Sequence, residues 1–269
     1  MTLDFEYLEG LVRDAGRAIL EVYATAFDVQ EKNDHSPLTV ADTRSHDIIA
    51  QGLTARYPDI PVLSEEGATI PYSERKNWSY FWLVDPLDGT KEFVQRNGEF
   101  TVNIALIEEH RPIVGVIFVP VLDVLYIADV ESGAWQITAN HRRPLQMQAP
   151  PRDMPIRALK SRSRSAPWLE KLLSGLPAYD VTTKGSALKF CDMASGDADL
   201  YARLDTTWEW DTAAGQAIVT AAGGVVVDPT GQPLTYNKSH LENGPFLVAS
   251  SLQWLEDLGL LEAARSLET

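Results

Sequence analysis

Asp85 and Asp88 stand three positions apart at the end of an apolar run, with Pro86 between them and Gly89-Thr90 directly after. Pro86 fixes its own φ and holds Asp85 extended. Gly89 permits a tight turn with no Cβ penalty. Two carboxylates, the Leu87 carbonyl and the Thr90 hydroxyl can therefore converge on one point. Oxygen-only ligands on a constrained turn suit a hard cation such as Mg2+. Taken alone, the stretch reads equally as an Asp-Pro turn with a solvated carboxylate.

Three more carboxylates sit where elements begin or end. Glu65 follows the short strand Ile60-Pro61-Val62-Leu63 and precedes Glu66-Gly67. Adjacent glutamates usually mark a solvated turn. If that strand neighbours the one ending at Asp85, however, both tips deliver a carboxylate to one place. Asp42 falls in the first turn of a helix expected to start near Thr39, where it also suits the helix dipole. Asp211 opens an alanine-rich helix, where an Asp reads first as an N-cap. Trp208, Glu209 and Trp210 precede it, which is unusual for a plain cap. Four carboxylates on strand ends and a helix start can hold two or three Mg2+ ions that clamp a phosphate during in-line attack by water.

The surrounding elements can be read from periodicity. Leu8, Val12, Ala15, Ile19 and Val22 form one face of a helix over 4–25. A polar stretch over 30–36 leads to the second helix, which carries Ile49 and Leu53 inward. Residues 80–84 read as a buried strand, and the polar segment 68–79 as a mobile loop. Strands over 101–107, 113–119, 124–128 and 134–137 are punctuated by Pro112, Pro120 and Gly133, which favours an antiparallel meander. The Pro-rich segment 140–155 is the best boundary, giving halves 1–145 and 146–269. Beyond it come a strand at 158–161, a helix at 168–173, a turn at Lys184-Gly185-Ser186 and a strand at 200–202. The alanine-rich helix then runs to about Ala222. Strands at 225–227 and 246–248 and a last helix over 252–265 follow. The whole reads as an α+β half followed by an α/β half.

Composition bounds the function. A chain of 269 residues with 45% apolar content can bury one large core or two smaller ones. Its formal charge of -15 argues against a nucleic-acid polymer or an anionic membrane surface as partner. A phosphorylated small molecule stays allowed, because bound metal inverts the local field. Cys191 is the only cysteine, so a reducing compartment is expected. The N-terminus lacks the basic start of a signal peptide, and no apolar run approaches a membrane span. The expected setting is cytoplasmic, free or peripheral at the cytoplasmic face of the inner membrane. The oligomeric state is not legible.

At this point the residues resemble a known family. Asp85-Pro86-Leu87-Asp88-Gly89-Thr90 with Phe93, and Trp210-Asp211-Thr212-Ala213-Ala214-Gly215, look like the two signature motifs of the inositol monophosphatase family. These are lithium-sensitive, Mg2+-dependent phosphomonoesterases. Leu63-Ser64-Glu65-Glu66 and Thr39-Val40-Ala41-Asp42 match two further family positions in the correct order. Within the family the chain is most similar to the bacterial 3'(2'),5'-bisphosphate nucleotidases. That likeness rests on Lys91-Glu92-Phe93, on the run from Asn97-Gly98-Glu99-Phe100 to Ile107, and on Gly185-Ser186-Ala187-Leu188-Lys189-Phe190. Inositol phosphatases typically carry Thr-Asn-Phe where this chain has Lys91-Glu92-Phe93.

The resemblance implies the layered α/β/α/β/α sandwich of the sugar-phosphatase fold, and a set of roles. Glu65, Asp85, the Leu87 carbonyl and Thr90 would hold a first Mg2+. Asp85, Asp88 and Asp211 would hold a second, with Asp85 bridging. Asp42 and Thr90 would orient or deprotonate the attacking water, with a third metal near Glu65. Gly89 and Thr90 amides would bind the scissile phosphate, so Glu65, Leu87, Asp88 and Asp211 would border the substrate too. Gly185, Ser186 and Lys189 would face the nucleoside and its 5'-phosphate. A cation near a helix start is plausible there, and a solvated helix lysine is the ordinary alternative. Glu66 is the weaker ligand of the glutamate pair.

Three functions compete. One is hydrolysis of adenosine 3',5'-bisphosphate to AMP and phosphate, with phosphoadenylyl sulfate as a further substrate, in sulfur metabolism or nucleotide recycling. A second is hydrolysis of inositol or sugar monophosphates at the same site. The third is a non-catalytic binding module, which the retention of all four carboxylates argues against.

Overall fold

The computed structural model describes residues 3–31, 37–151, 153–163 and 166–267. Part of the polar stretch read at 30–36, from 32 to 36, lies outside them. Helix α1 (Phe5–Tyr23) starts at Asp4, whose carboxylate accepts from the Tyr7 amide at 3.0 Å. That bond satisfies an amide the helix itself leaves unpaired. Its expected apolar stripe is buried. A ribbon of β1 (Val29–Glu31) and β2 (Pro37–Thr39) leads into α2 (Val40–Arg56). A capping box opens α2, with the Thr39 amide donating to Asp42 Oδ2 at 2.8 Å.

Among the described residues, seven strands lie side by side in chain order: β3 (Val62–Ser64), β4 (Tyr80–Asp88), β5 (Thr101–Glu108), β6 (Arg111–Val119), β7 (Val124–Asp129), β8 (Gly133–Thr138) and β9 (His141–Leu145). β3 and β4 are parallel, and the rest is the expected antiparallel meander. Short helices α3 (Tyr72–Arg75) and α4 (Thr90–Val94) flank β4 in sequence. The chain continues through β10 (Ile156–Ser161), α5 (Pro167–Leu173), β11 (Tyr179–Lys184), α6 (Leu188–Ser195), β12 (Leu200–Arg203), β13 (Thr207–Trp208) and α7 (Glu209–Ala221). It ends with β14 (Val225–Val227), β15 (Glu242–Asn243), β16 (Phe246–Ala249), α8 (Leu252–Asp257) and α9 (Leu260–Leu267). The second sheet is mixed, in the order β11-β10-β12-β16-β14, and β13 pairs with β15.

Alternation along the strands sorts the core into layers. Trp82 and Val84 pack with Leu8, Ile19, Ile49 and Leu53 of α1 and α2. Phe81 and Leu83 point the other way, toward Phe190 and Met193 of α6 and Ala213 and Ile218 of α7. Tyr201, Phe246 and Val248 of the second sheet close that middle layer. Leu200, Ala202 and Leu247 pack outward with α5, α8 and α9. The order is therefore α/β/α/β/α, the sandwich that the motifs imply. Each large apolar side chain buried this way contributes about 1.5–3 kcal/mol. Helix α7 lies so close to β6 that a Cβ on Gly115 would stand 2.3 Å from the Ala214 carbonyl oxygen.

Some elements differ from expectation. Segment 68–79 is not a free loop: it carries α3, and Arg75 in it is 3% exposed. Strand β4 runs past Val84 to Asp88, so both aspartates lie on the strand. The two sheet edges β9 and β11 escape periodicity because water faces most of their side chains. The last helix is two helices, broken at Gly259, whose φ of +66° stops α8 and restarts the chain. Among the described residues no helix is long and apolar enough to cross a membrane.

Candidate active site

The parallel pairing of β3 with β4 sets Ser64 beside Val84, and the Glu65 amide donates to the Val84 carbonyl at 3.1 Å. Glu65 thus leaves β3 level with Asp85, as the adjacency argument requires. On the other side β4 pairs with β5, where Asp85 faces Asn103 and Asp88 faces Thr101. Three steps on β4 match two on β5, so the chain bulges at Pro86-Leu87. Proline has no N–H to lose from the ladder there. Ser45 Oγ donates to the Pro86 carbonyl at 2.7 Å, and the Leu87 amide donates to Asp85 Oδ1 at 3.1 Å. The bulge re-aims Asp88, which accepts from Asn103 Nδ2 at 3.3 Å. Gly89 then takes φ +92° to start α4, and a Cβ there would stand 2.9 Å from the Glu99 carbonyl oxygen.

Asp42 joins the start of α2 to Thr90. One carboxylate oxygen takes the Thr39 amide and hydroxyl, at 2.8 and 2.7 Å. The other lies 3.1 Å from Thr90 Oγ1, which also sits 3.3 Å from the Leu87 carbonyl oxygen. Asp42 is 1% exposed and stands behind Thr90 rather than on the pocket wall. Glu65, Asp85, Leu87, Asp88, Gly89, Thr90 and Asp211 all line that pocket.

Asp211 arrives on α7. It is not the N-cap: α7 begins two residues earlier, and Asp211 reaches back to accept the Trp208 amide at 2.9 Å. The cap is lost to tertiary pairing, because β13–β15 sets where the helix starts. Burial, then the charges of Asp88 and Glu65, push the Asp211 carboxyl up to about 8. Burial also raises Asp88, against the pull of the Lys189 cation. Like charges this near cost less when a cation joins them. The all-oxygen donor set suits Mg2+. Among the described residues no group of three such side chains is already drawn tightly enough to hold an ion.

The far wall carries Gly185, Ser186 and Lys189, with Ser186 at φ +42°. The Gly185 amide donates to Glu99 Oε2 at 2.6 Å, and a Cβ on Gly185 would meet Glu92 Cγ at 2.7 Å. Lys189 is not the solvated helix lysine of the ordinary reading. It is 4% exposed, donates to the Ser186 carbonyl at 2.5 Å, and lies over the Tyr201 ring at 5.4 Å. Two wall residues were missed in sequence. Arg162 pairs with Glu99 at 2.6 Å, and Arg203 donates to Ser161 Oγ at 3.2 Å. Both lie at or just past the ends of second-sheet strands, the usual place for ligand contacts in α/β layers, which is the signal that could have found them.

The inositol monophosphatase family matches residues 4–268 of the chain. A protein of Escherichia coli O157:H7 named 3'(2'),5'-bisphosphate nucleotidase CysQ is 48% identical over 229 residues, covering 84% of this chain and 91% of that protein. The crystal structure of CysQ from Bacteroides thetaiotaomicron superposes with a TM-score of 0.80 at 37% identity, covering 91% of this chain and 97% of that one. The IMPase of Thermotoga maritima superposes at 0.82 with 20% identity, covering 98% and 99%, and so shares the fold.

Proposed function

The chain belongs to the inositol monophosphatase family, and from that premise we propose that it is a Mg2+-dependent 3'(2'),5'-bisphosphate nucleotidase. Its reaction converts adenosine 3',5'-bisphosphate to AMP and phosphate, with phosphoadenylyl sulfate as a second substrate. One observation carries the reading: carboxylates from the end of β3, from β4 and from α7 line one pocket whose far wall is cationic. Lys189, Arg162 and Arg203 stand on that wall, and Arg203 Nε is buried with no hydrogen-bond partner. A substrate with a second anionic group uses those cations; an inositol or sugar monophosphate needs none of them.

Enzymes of this family are metal-dependent phosphatases. Glu65, Asp85, the Leu87 carbonyl and Thr90 would hold one Mg2+, and Asp85, Asp88 and Asp211 another, with room for a third near Glu65. Bound Mg2+ supplies positive charge to the phosphoryl oxygens and acidifies water. The protein's own groups do the rest. Thr90 Oγ1 donates to Asp42 Oδ1, at 3.1 Å, and so turns a lone pair toward the attacking water. Asp42 is the final acceptor of that water's proton, relayed through Thr90 Oγ1. The Gly89 and Thr90 amides hold a phosphate oxygen where the chain turns into α4. Gly185, Ser186 and Lys189 hold the nucleoside side. On this reading residues 1–145 supply most ligands, and 146–269 supply Asp211 and the nucleoside contacts. The single, fully buried Cys191 fits a cytoplasmic setting.

The test is phosphate release with Mg2+ from adenosine 3',5'-bisphosphate, phosphoadenylyl sulfate, 3'-AMP, inositol 1-phosphate and fructose 1,6-bisphosphate, for wild type and Lys189→Ala. The nucleoside bisphosphate is expected to have the highest kcat/KM. Lys189→Ala is expected to lose roughly ten- to hundredfold on it, the worth of a charged contact, and to spare 3'-AMP. Preference for inositol 1-phosphate overturns the substrate assignment. Equal losses on both nucleotides mean that Lys189 only shapes the turn.

A further inference from the structure

Asp211 is the one candidate ligand that the second half supplies, so its distance from Glu65, Asp85 and Asp88 depends on how the halves are tied. Besides the packing of α7 on the first sheet, a buried polar strap ties them. Arg75 lies on the connection between β3, which Glu65 directly follows, and β4, which carries Asp85. Its Nη1 donates to Asn237 Oδ1 at 2.8 Å and to the Lys238 carbonyl at 2.6 Å, and Nη2 to the Ser239 carbonyl at 3.1 Å. Asn237 Nδ2 answers with a bond to the Arg75 carbonyl at 2.7 Å. The Asn237 and Lys238 amides then donate to Glu209, at 2.7 and 3.0 Å, and Lys238 Nζ pairs with it at 2.8 Å. Glu209 is the first residue of α7, is 0% exposed, and sits two positions before Asp211.

We propose that Arg75, Asn237 and Glu209 are positioning residues that hold Asp211 in register with the other three carboxylates and so set the affinity of the second metal. The inference rests on Asp211 being a ligand of that metal. One Asp211 oxygen is taken by the Trp208 amide, so the carboxylate follows the backbone that Glu209 anchors. A strap meant only for stability is a poor use of buried charge, because apolar packing does as well. What a rigid fork of hydrogen bonds adds is geometry, and ligand sets tolerate only about 0.5 Å of error. The second observation is the position of the strap. It meets α7 in its first turn, beside the ligand, and not along the length that packs on the sheet.

The test is binding of Mn2+, followed by electron paramagnetic resonance on full-length protein without substrate, beside the Mg2+ dependence of kcat. Arg75→Lys keeps the charge and loses the fork. Asn237→Gly keeps the φ of +64° and the amide to Glu209 but loses both side-chain bonds to Arg75. Both are expected to weaken, roughly tenfold, the class of Mn2+ site that Asp211→Asn weakens, at the low end for removing an outer support of a metal ligand. The other class should hold, and kcat at saturating Mg2+ should stay within about twofold. Asp211→Asn is expected to weaken the same class. If Asp211→Asn weakens it and neither strap variant does, the strap is structural only and the inference fails. If Asp211→Asn changes neither class, the ligand assignment itself has failed.

Discussion

Asp85→Asn is expected to lower kcat on adenosine 3',5'-bisphosphate by about a thousandfold or more, some 4 kcal/mol of barrier. Asp85 is the one carboxylate assigned to both proposed metals, so a neutral side chain there would weaken both at once. The fold should survive. Asn is isosteric, and its amide oxygen can still accept the Leu87 amide that now reaches Asp85 Oδ1 at 3.1 Å. Removing one charge from a group of mutually repelling carboxylates also relieves strain. Thermal unfolding in EDTA should therefore match wild type or exceed it. Activity within tenfold of wild type, about 1.4 kcal/mol, contradicts the assignment.

Gly115→Val is expected to disable the enzyme from outside the pocket. A Cβ at Gly115 would stand 2.3 Å from the Ala214 carbonyl oxygen and 2.9 Å from the Ala217 Cβ. Both neighbours are on α7 and neither can swing aside, so the helix must move. Overpacking of this kind costs about 3 kcal/mol, which lowers Tm by roughly 6–12 °C in a chain of this size. The shift also carries Asp211 away from Asp85 and Asp88. Activity at 25 °C, where the protein stays folded, should fall at least tenfold, and Gly115→Ala should lie between. An unchanged Tm would mean that α7 does not pack on β6 as described.

What the sequence disclosed and what it hid follow from the range of the forces involved. The distortion at Pro86 and the bend at Gly89 were legible because each acts on its own backbone, whereas the run of β4 on to Asp88 was not. The α1 stripe and the helix start near Thr39, with Asp42 in its first turn, were legible for the same local reason. Glu65 needed one long-range fact, the pairing of β3 with β4, and the apolar runs before each carboxylate pointed to it. Arg75 was illegible. A polar segment gives no sign that an arginine will be buried against carbonyls more than 160 positions away. Lys189 was ambiguous, since burial beside Asp88 and Tyr201 depends on the second sheet. Asp211 was read both as a metal ligand and as a cap, and the cap reading fails. The pairing of Thr207-Trp208 with Glu242-Asn243 starts α7 earlier than any local signal. Strands β9 and β11 lie at sheet edges, where side chains face water and the alternation that reveals a strand disappears.

On this reading the carboxylate site removes the 3'-phosphate and leaves the 5'-phosphate on the far wall. Phosphorus NMR of a reaction with adenosine 3',5'-bisphosphate and Mg2+ tests it most directly, because it resolves the 5'-phosphate, the 3'-phosphate and inorganic phosphate at once. The 3' resonance is expected to be replaced by inorganic phosphate while the 5' resonance of AMP persists, and EDTA is expected to stop the exchange. Loss of the 5' resonance first, or turnover that continues in EDTA, would contradict it.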